Sequence, residues 1–245
     1  MSSRSIYRRE LKGSRLASFT VIVKETDLWI AVDSELNREE LALKTETFTW
    51  RLRHEMEAYL KKYPHLLESL EPCLVGADAP DILRRMVAAA NQAGVGPMAA
   101  VAGAVAEAVG RQLLDLSREV IVENGGDIFL KVDEPVQIGI YAGSSPLSGK
   151  FSLLISDKYS PLGVCTSSGT VGPSFSYGYA DAAVAVSPST ALADAVATAM
   201  GNLVKTKDDL EKALHFAQKI NGITGALLIR NDKIAAWGDI ELHKI

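Results

Sequence analysis

The sequence predicts a single α+β domain, with mixed sheets packed against helices around a central ligand pocket. Three observations predict it. Short β-branched runs bounded by Gly, Pro, Asn and Asp recur along the chain and read as strands. Between them lie one long amphipathic helical stretch, residues 35–63, and two stretches rich in Ala, Val and Gly, 88–109 and 191–203. From Val122 to Thr206, apolar runs carry tight clusters of Gly, Ser, Thr, Asn or Asp. Such clusters bring backbone N–H donors, hydroxyls and carboxylates together, the chemistry of a site for a phosphorylated ligand and a hard cation.

A chain of 245 residues allows one large domain or two small ones. We read a single domain over 1–245, with lobes at 1–92 (hairpin and first helices) and 93–245 (the motif-bearing part). A net charge of −4 without blocks of like charge gives no footprint for nucleic acid. Cys73 and Cys165 form neither a disulfide framework nor zinc-site spacing, which fits a reduced, cytoplasmic setting. The basic N-terminal residues lead into no apolar export segment. The stretch 88–109 is apolar enough to raise a membrane span. Asn91, Gln92, Gly94, Gly96, Pro97, Gly103 and Glu107 interrupt it, so it reads as a packed interior helix with a loop before it.

The elements follow in order. Residues 5–15 are basic and read as an edge strand or arm. Phe19–Val23 and Leu28–Val32 make a hairpin, and Glu35–Tyr63 a helix stopped by Pro64. A proline-punctuated connector holds Cys73 as a packed thiol. Asp81–Ala93 is helical; Gly94 and Gly96 break it and Pro97 restarts it, leaving N–H groups at Val95–Met98 either for dense packing or for an anion. Strands are expected at Val120–Val122, Ile128–Val132, Gln137–Tyr141, Phe151–Ile155, Leu162–Thr166 and Asp181–Val186. The helix Ala191–Leu203 follows, then the helix Asp208–Asn221 capped by Gly222, and a closing hairpin, Gly225–Ile229 with Lys233–Trp237.

Three motifs carry chemistry. In ENGGD, Gly125 and Gly126 are either a plain hairpin turn or a ligand approach flanked by the acceptors Asn124 and Asp127. Thr166, Ser167, Ser168 and Gly169, with Thr170, can wrap a phosphate. Cys165 just before them is either a buried structural thiol or, with a lowered pKa, a reactive one. Asp194 and Thr198 lie four apart and so share a helix face. A divalent cation would satisfy both; alternatively Asp194 caps a loop or a helix start. The string AGSSPLSGK lacks P-loop spacing, and His54, His65, His215 and His243 sit in charged helical or tail segments, unsuited to a Ser-His-Asp triad.

In order, AGVGPMAAVAGAVAEAVG, ENGGDI, CTSSGTVG and ADAVATAM resemble the signature series of the ApbE-like superfamily, the FAD:protein FMN transferases, over residues 93–202. The strings are most similar to a cytoplasmic branch of archaea and anaerobic bacteria. The resemblance implies magnesium at Asp194 and Thr198, and a flavin site at Gly125, Gly126, Asp127, Thr166, Ser167, Ser168 and Gly169. It also implies FAD or FMN as ligand and a protein acceptor. The transferases' His-x-x-Asp-Pro-x-Thr-Gly segment is replaced here by GPSFSYGYA, residues 172–180. Three functions are therefore expected: a magnesium-dependent flavin or nucleotide transferase or hydrolase, a sulfur or redox accessory protein using Cys165, or a module that binds a phosphorylated metabolite. Sheet edges and the basic arm at residues 4–15 fit a homodimer.

Overall fold

The amino-terminal hairpin pairs without a slip, from Leu16 opposite Asp33 to Val23 opposite Thr26. In the computed structural model, which describes residues 15–156, 161–170 and 177–245, its strands are β1 (Leu16–Val23) and β2 (Thr26–Asp33). The arm expected at residues 5–15 lies almost wholly outside the described residues, as do Gly172–Ser176 of the segment that replaces the His-containing motif.

Helix α1 (Arg38–Lys62) starts where the Asn37 side chain accepts the N–H groups of Glu39 and Glu40, and it stops just before Pro64. A short α2 (His65–Glu68) leads into the connector. Helix α3 (Asp81–Ala93) ends at Gly94, whose φ of 72° is the left-handed cap glycine tolerates. A 3-10 turn, Pro97–Ala100, opens α4 (Val101–Leu113). Then come β3 (Val120–Asn124), β4 (Asp127–Lys131), β5 (Val136–Gly139), β6 (Phe151–Ile155), β7 (Leu162–Ser167) and β8 (Ala182–Ser187). The chain closes with α5 (Thr190–Leu203), α6 (Leu210–Gln218), β9 (Gly225–Arg230), β10 (Lys233–Gly238) and β11 (Glu241–Lys244).

Two sheets result. An eight-stranded sheet runs β1-β2-β3-β4-β7-β8-β9-β10, and a three-stranded one runs β11-β6-β5. The α+β class holds, and each strand pairing described is antiparallel. Alternation along each strand divides the core. Val120, Val122, Phe129 and Cys165 face the helices, whereas Ile121, Leu130, Val164 and Val184 face the small sheet. The large sheet is thus buried on both faces, which is why its central strands read as continuous apolar runs.

The small-residue helices are explained by proximity. A Cβ on Gly103 of α4 would lie 2.5 Å from the Thr190 carbonyl and 2.7 Å from Asp194 Cβ on α5. No single helix among the described residues is long and apolar enough to cross a membrane; α3 and the α4 segment meet at 104°. Strand β11 was not expected, and α6 is shorter than expected, preceded by a 3-10 turn over Lys207–Asp209. Gly222, with φ of 94°, lies in the turn beyond the helix instead of capping it.

Candidate functional site

The ENGGD motif folds as the tight turn between β3 and β4, with Asn124 paired to Asp127. Gly125 and Gly126 have φ of 70° and 111°, the double left-handed turn that suits a two-residue hairpin and disfavours other residues. The Asn124 amide donates to the Ala102 carbonyl at 3.0 Å, and the Gly126 N–H donates to Glu123 Oε1 at 2.7 Å. The hairpin reading of the glycines therefore accounts for them, and their effect is to place Asp127 at the head of β4 on the helix-facing side.

Asp127 stands opposite Cys165 of β7. Burial pushes its carboxyl up to about 7; the Cys165 thiol pulls it down by hydrogen bonding, and the charge of Glu123 raises it again. Its Oδ1 is buried without a hydrogen-bond partner. Across from it, Asp194 of α5 accepts the Gly103 N–H on Oδ2 at 2.8 Å, so this carboxyl caps the first turn of α4. Burial again dominates and, with the nearby Asp127 charge, raises the Asp194 pKa well above the carboxylate range, against the backbone N–H groups of Gly103 and Ala102.

Asp127, Asp194 and Thr198 line one cavity of about 350 Å³. Asn202 joins them, so α5 contributes a stripe at Asp194, Thr198 and Asn202, each four residues on. Opposite this polar floor stand apolar walls, among them Leu67, Leu70, Val95 and Met98. The Leu67–Leu70 wall is fixed by packing: a Cβ on Gly96 would overlap the Ser69 carbonyl at 1.8 Å. Tyr177 closes a further side, its N–H donating to Asn202 Oδ1 at 2.9 Å.

The other predicted site residues lie apart from this cavity. Thr166, next along β7 from Cys165, belongs by alternation to the face that Val164 presents to the small sheet. Ser167 lies on the helix side beside Gly201. Ser168 Oγ accepts the Thr170 N–H at 3.1 Å, and Thr170 in turn bonds Asp181. Gly169 packs on Gly178, where its added Cβ would be 2.1 Å from the carbonyl. These residues, like Gly125 and Gly126, position neighbours of the cavity and do not line it.

Cys165 is fully buried, and its thiol donates to the Thr190 carbonyl at 3.4 Å. Burial raises its pKa well above a free thiol's, and the charges of Asp127 and Asp194 raise it further. Such surroundings are the reverse of those that lower a thiol's pKa and make it reactive. Cys73 is half-buried, its backbone clasped by Asn91 at 2.9 and 2.8 Å.

A hard divalent cation fits the cavity floor. Two buried carboxyls, one with an orphaned oxygen, face each other without a Lys or Arg among the described lining residues. No group of three or more His, Cys, Asp and Glu residues able to hold a metal occurs among the described residues. The donors are thus two carboxylates and the Thr198 hydroxyl, the sparse all-oxygen set that suits magnesium completed by ligand phosphates.

A family model described as AbpE bacteria matches residues 8–236. The chain belongs to that family. Within it, the chain is 48% identical over 190 residues to a UPF0280 protein of Methanocella arvoryzae, covering 77% of each. It is 41% identical over 222 residues to a UPF0280 protein of Methanosarcina acetivorans, covering 89% of this chain and 85% of the relative. Its place is the archaeal UPF0280 branch of the ApbE-like proteins. Among solved structures, the apo flavinyl transferase ApbE of Pseudomonas stutzeri aligns with a TM-score of 0.61 and 15% identity, over 94% of this chain and 96% of that one. The flavin transferase ApbE of Vibrio cholerae gives 0.60 and 14%, over 91% and 96%. At these identities the likeness shows a shared ApbE-like fold.

Proposed function

We propose that the protein binds a flavin nucleotide with magnesium and acts on its phosphate bridge, as a transferase or hydrolase. One observation carries this reading: two buried carboxyls and a helix-borne hydroxyl, Asp127, Asp194 and Thr198, line one cavity whose described lining holds no Lys or Arg. The names of the fold neighbours, flavin transferases, favour the flavin as ligand.

Asp194 and Thr198, on one face of α5, would hold the cation, with Asp127, whose Oδ1 lacks a hydrogen-bond partner, offering a second carboxylate. Bound there, magnesium would screen phosphate charge and polarise the phosphoryl oxygen. The Gly103 N–H fixes the Asp194 carboxyl, so its rotamer is set before ligand arrives. The apolar walls from Leu67 to Met98 exclude water and give the ring system a surface to cover. The acceptor is a hydroxyl, either of a partner protein or of water.

Thermal unfolding against FAD, FMN, ADP and AMP, with and without magnesium, tests the reading. A ligand at a hundredfold excess over its Kd adds ~2.7 kcal/mol of stability. The expected result is a magnesium-dependent rise in Tm with FAD that Asp194→Ala abolishes. Indifference to each flavin would sink the proposal.

A further inference from the structure

The cavity has a charge problem that its own floor makes worse. Its described lining holds two carboxylates and no basic side chain. A divalent cation cancels those two charges and leaves the charge of a phosphorylated ligand to be met elsewhere, and an unpaired charge removed from water is costly. The rim supplies candidates. Lys205, just beyond α5, donates its ammonium to the Tyr177 carbonyl, and Tyr177 lines the cavity. The same ammonium lies 5.8 Å from the centre of the Tyr179 ring, and Arg230 lies 5.8 Å from that ring as well. Arg230 is committed to the buried Asp181 at 3.3 Å. Lys205 bonds a neutral carbonyl, and among the described residues it meets no carboxylate within ion-pair distance.

Its position is built. The Tyr179 N–H donates to the Val204 carbonyl at 2.8 Å, and the Tyr177 N–H to Asn202 at 2.9 Å. Between them, Gly178 lies so close to α5 that a Cβ would be 1.7 Å from the Gly201 carbonyl. The tyrosine segment is therefore pinned to the end of the helix that carries Asp194 and Thr198, and Lys205 is held where the cavity wall ends.

We propose that Lys205 is the specificity-determining cation of this site, neutralising a ligand phosphate at the rim while the Asp127–Asp194 floor handles the cation. The site then selects nucleotides bearing phosphate over uncharged flavins. This deepens the proposed function and rests on it.

A cation after a helix C-terminus also steadies the helix dipole, so the test reads more than stability. Binding of riboflavin, FMN, FAD and inorganic pyrophosphate is measured with magnesium for the wild type, Lys205→Met and Lys205→Arg, at low and high salt. Lys205→Met is expected to weaken FMN, FAD and pyrophosphate by about tenfold or more, the scale of a lost charge-assisted hydrogen bond. Riboflavin binding should stay put, the ligand-free Tm of Lys205→Met should fall only by the small helix-end contribution, Lys205→Arg should retain phosphate binding, and the variant's salt dependence should flatten. A wild type that binds these anions with Lys205→Met unaffected overturns the role of Lys205 and leaves the flavin reading standing. A wild type that binds pyrophosphate but no flavin keeps Lys205 and removes the flavin. One that binds neither overturns both.

Discussion

Two cavities lined by α4 and α5 invite comparison, and the larger one is the less informative. The first, about 470 Å³, lies among α1, α3, α4 and the start of α5. Most of its charges answer one another: Arg85 holds Asp81 at 2.7 Å, and Arg111 holds Glu107 at 2.8 Å, with Glu55 at the exposed side. Glu107 Oε2 also accepts the Thr190 N–H at 2.8 Å, serving as the anion at the start of α5. The second cavity, about 350 Å³, ends in two buried carboxyls, both with raised pKa, and its described lining holds no Lys or Arg. Space alone does not mark a site. Buried carboxyls without a basic partner are the better marker, because groups perturbed in this way cluster where something else is to bind.

The hardest blow to this contrast is at the seam. Gly103→Ala would place a methyl 2.5 Å from the Thr190 carbonyl and force α4 from α5. It would also displace the N–H that holds Asp194. Overpacking of this kind costs roughly 1–3 kcal/mol or more, or several degrees of Tm for a chain of this size. Differential scanning calorimetry should show that loss, and titration should show that the magnesium response has gone with it. A variant as stable and as responsive as the wild type would mean that the helices have slack the geometry denies.

A milder change separates the cavities. Glu107→Ala removes the acceptor for the Thr190 N–H and the partner of Arg111 in the larger one. Loss of about 2 kcal/mol is expected, discounted because Arg111 is half exposed. The FAD and magnesium response should survive in the folded variant. If binding vanished while the Tm stayed high, the larger cavity would have a functional part that its paired charges conceal.

How much of this was legible beforehand depends on which residues one asks about. Most helices and the central strands follow from periodicity, and the breaks at Gly94 and Pro97 from backbone chemistry. The four-residue spacing of Asp194 and Thr198 placed them on one face, and the same spacing would have reached Asn202. Strand β11 stayed hidden because it pairs with β6, about ninety residues earlier in the sequence. Thr166 and Ser168 were expected in the site for their hydroxyls and backbone amides and for the resemblance of their segment to the family's flavin-site motif. A strand alternates faces, so Thr166 cannot share the side of Cys165, and no count of hydroxyls reveals that. Tyr177, Leu67 and Leu70 were missed because exposed apolar residues in connectors look alike until a cavity gathers them.

The finest test of the contrast uses protons. Asp127 has a folded pKa of about 7, above its unfolded value, because burial disfavours the charged form. The folded state therefore binds more protons than the unfolded one between about pH 4 and 7. The stability linked to Asp127 is fully present below the unfolded pKa and is lost as pH rises through the folded one. Asp127 alone should cost the metal-free protein up to ~1.4 kcal/mol per pH unit within that window, with the raised Asp194 acting in the same direction, and Asp127→Asn should remove the Asp127 part of the slope. Magnesium should flatten it as well, since a bound cation replaces the proton and its affinity climbs with pH. Chemical denaturation at several pH values, with chelator or with magnesium, reads both. The same slope in Asp127→Asn as in the wild type would mean that the second cavity is as well balanced as the first, and the argument from unbalanced charge would fail with it.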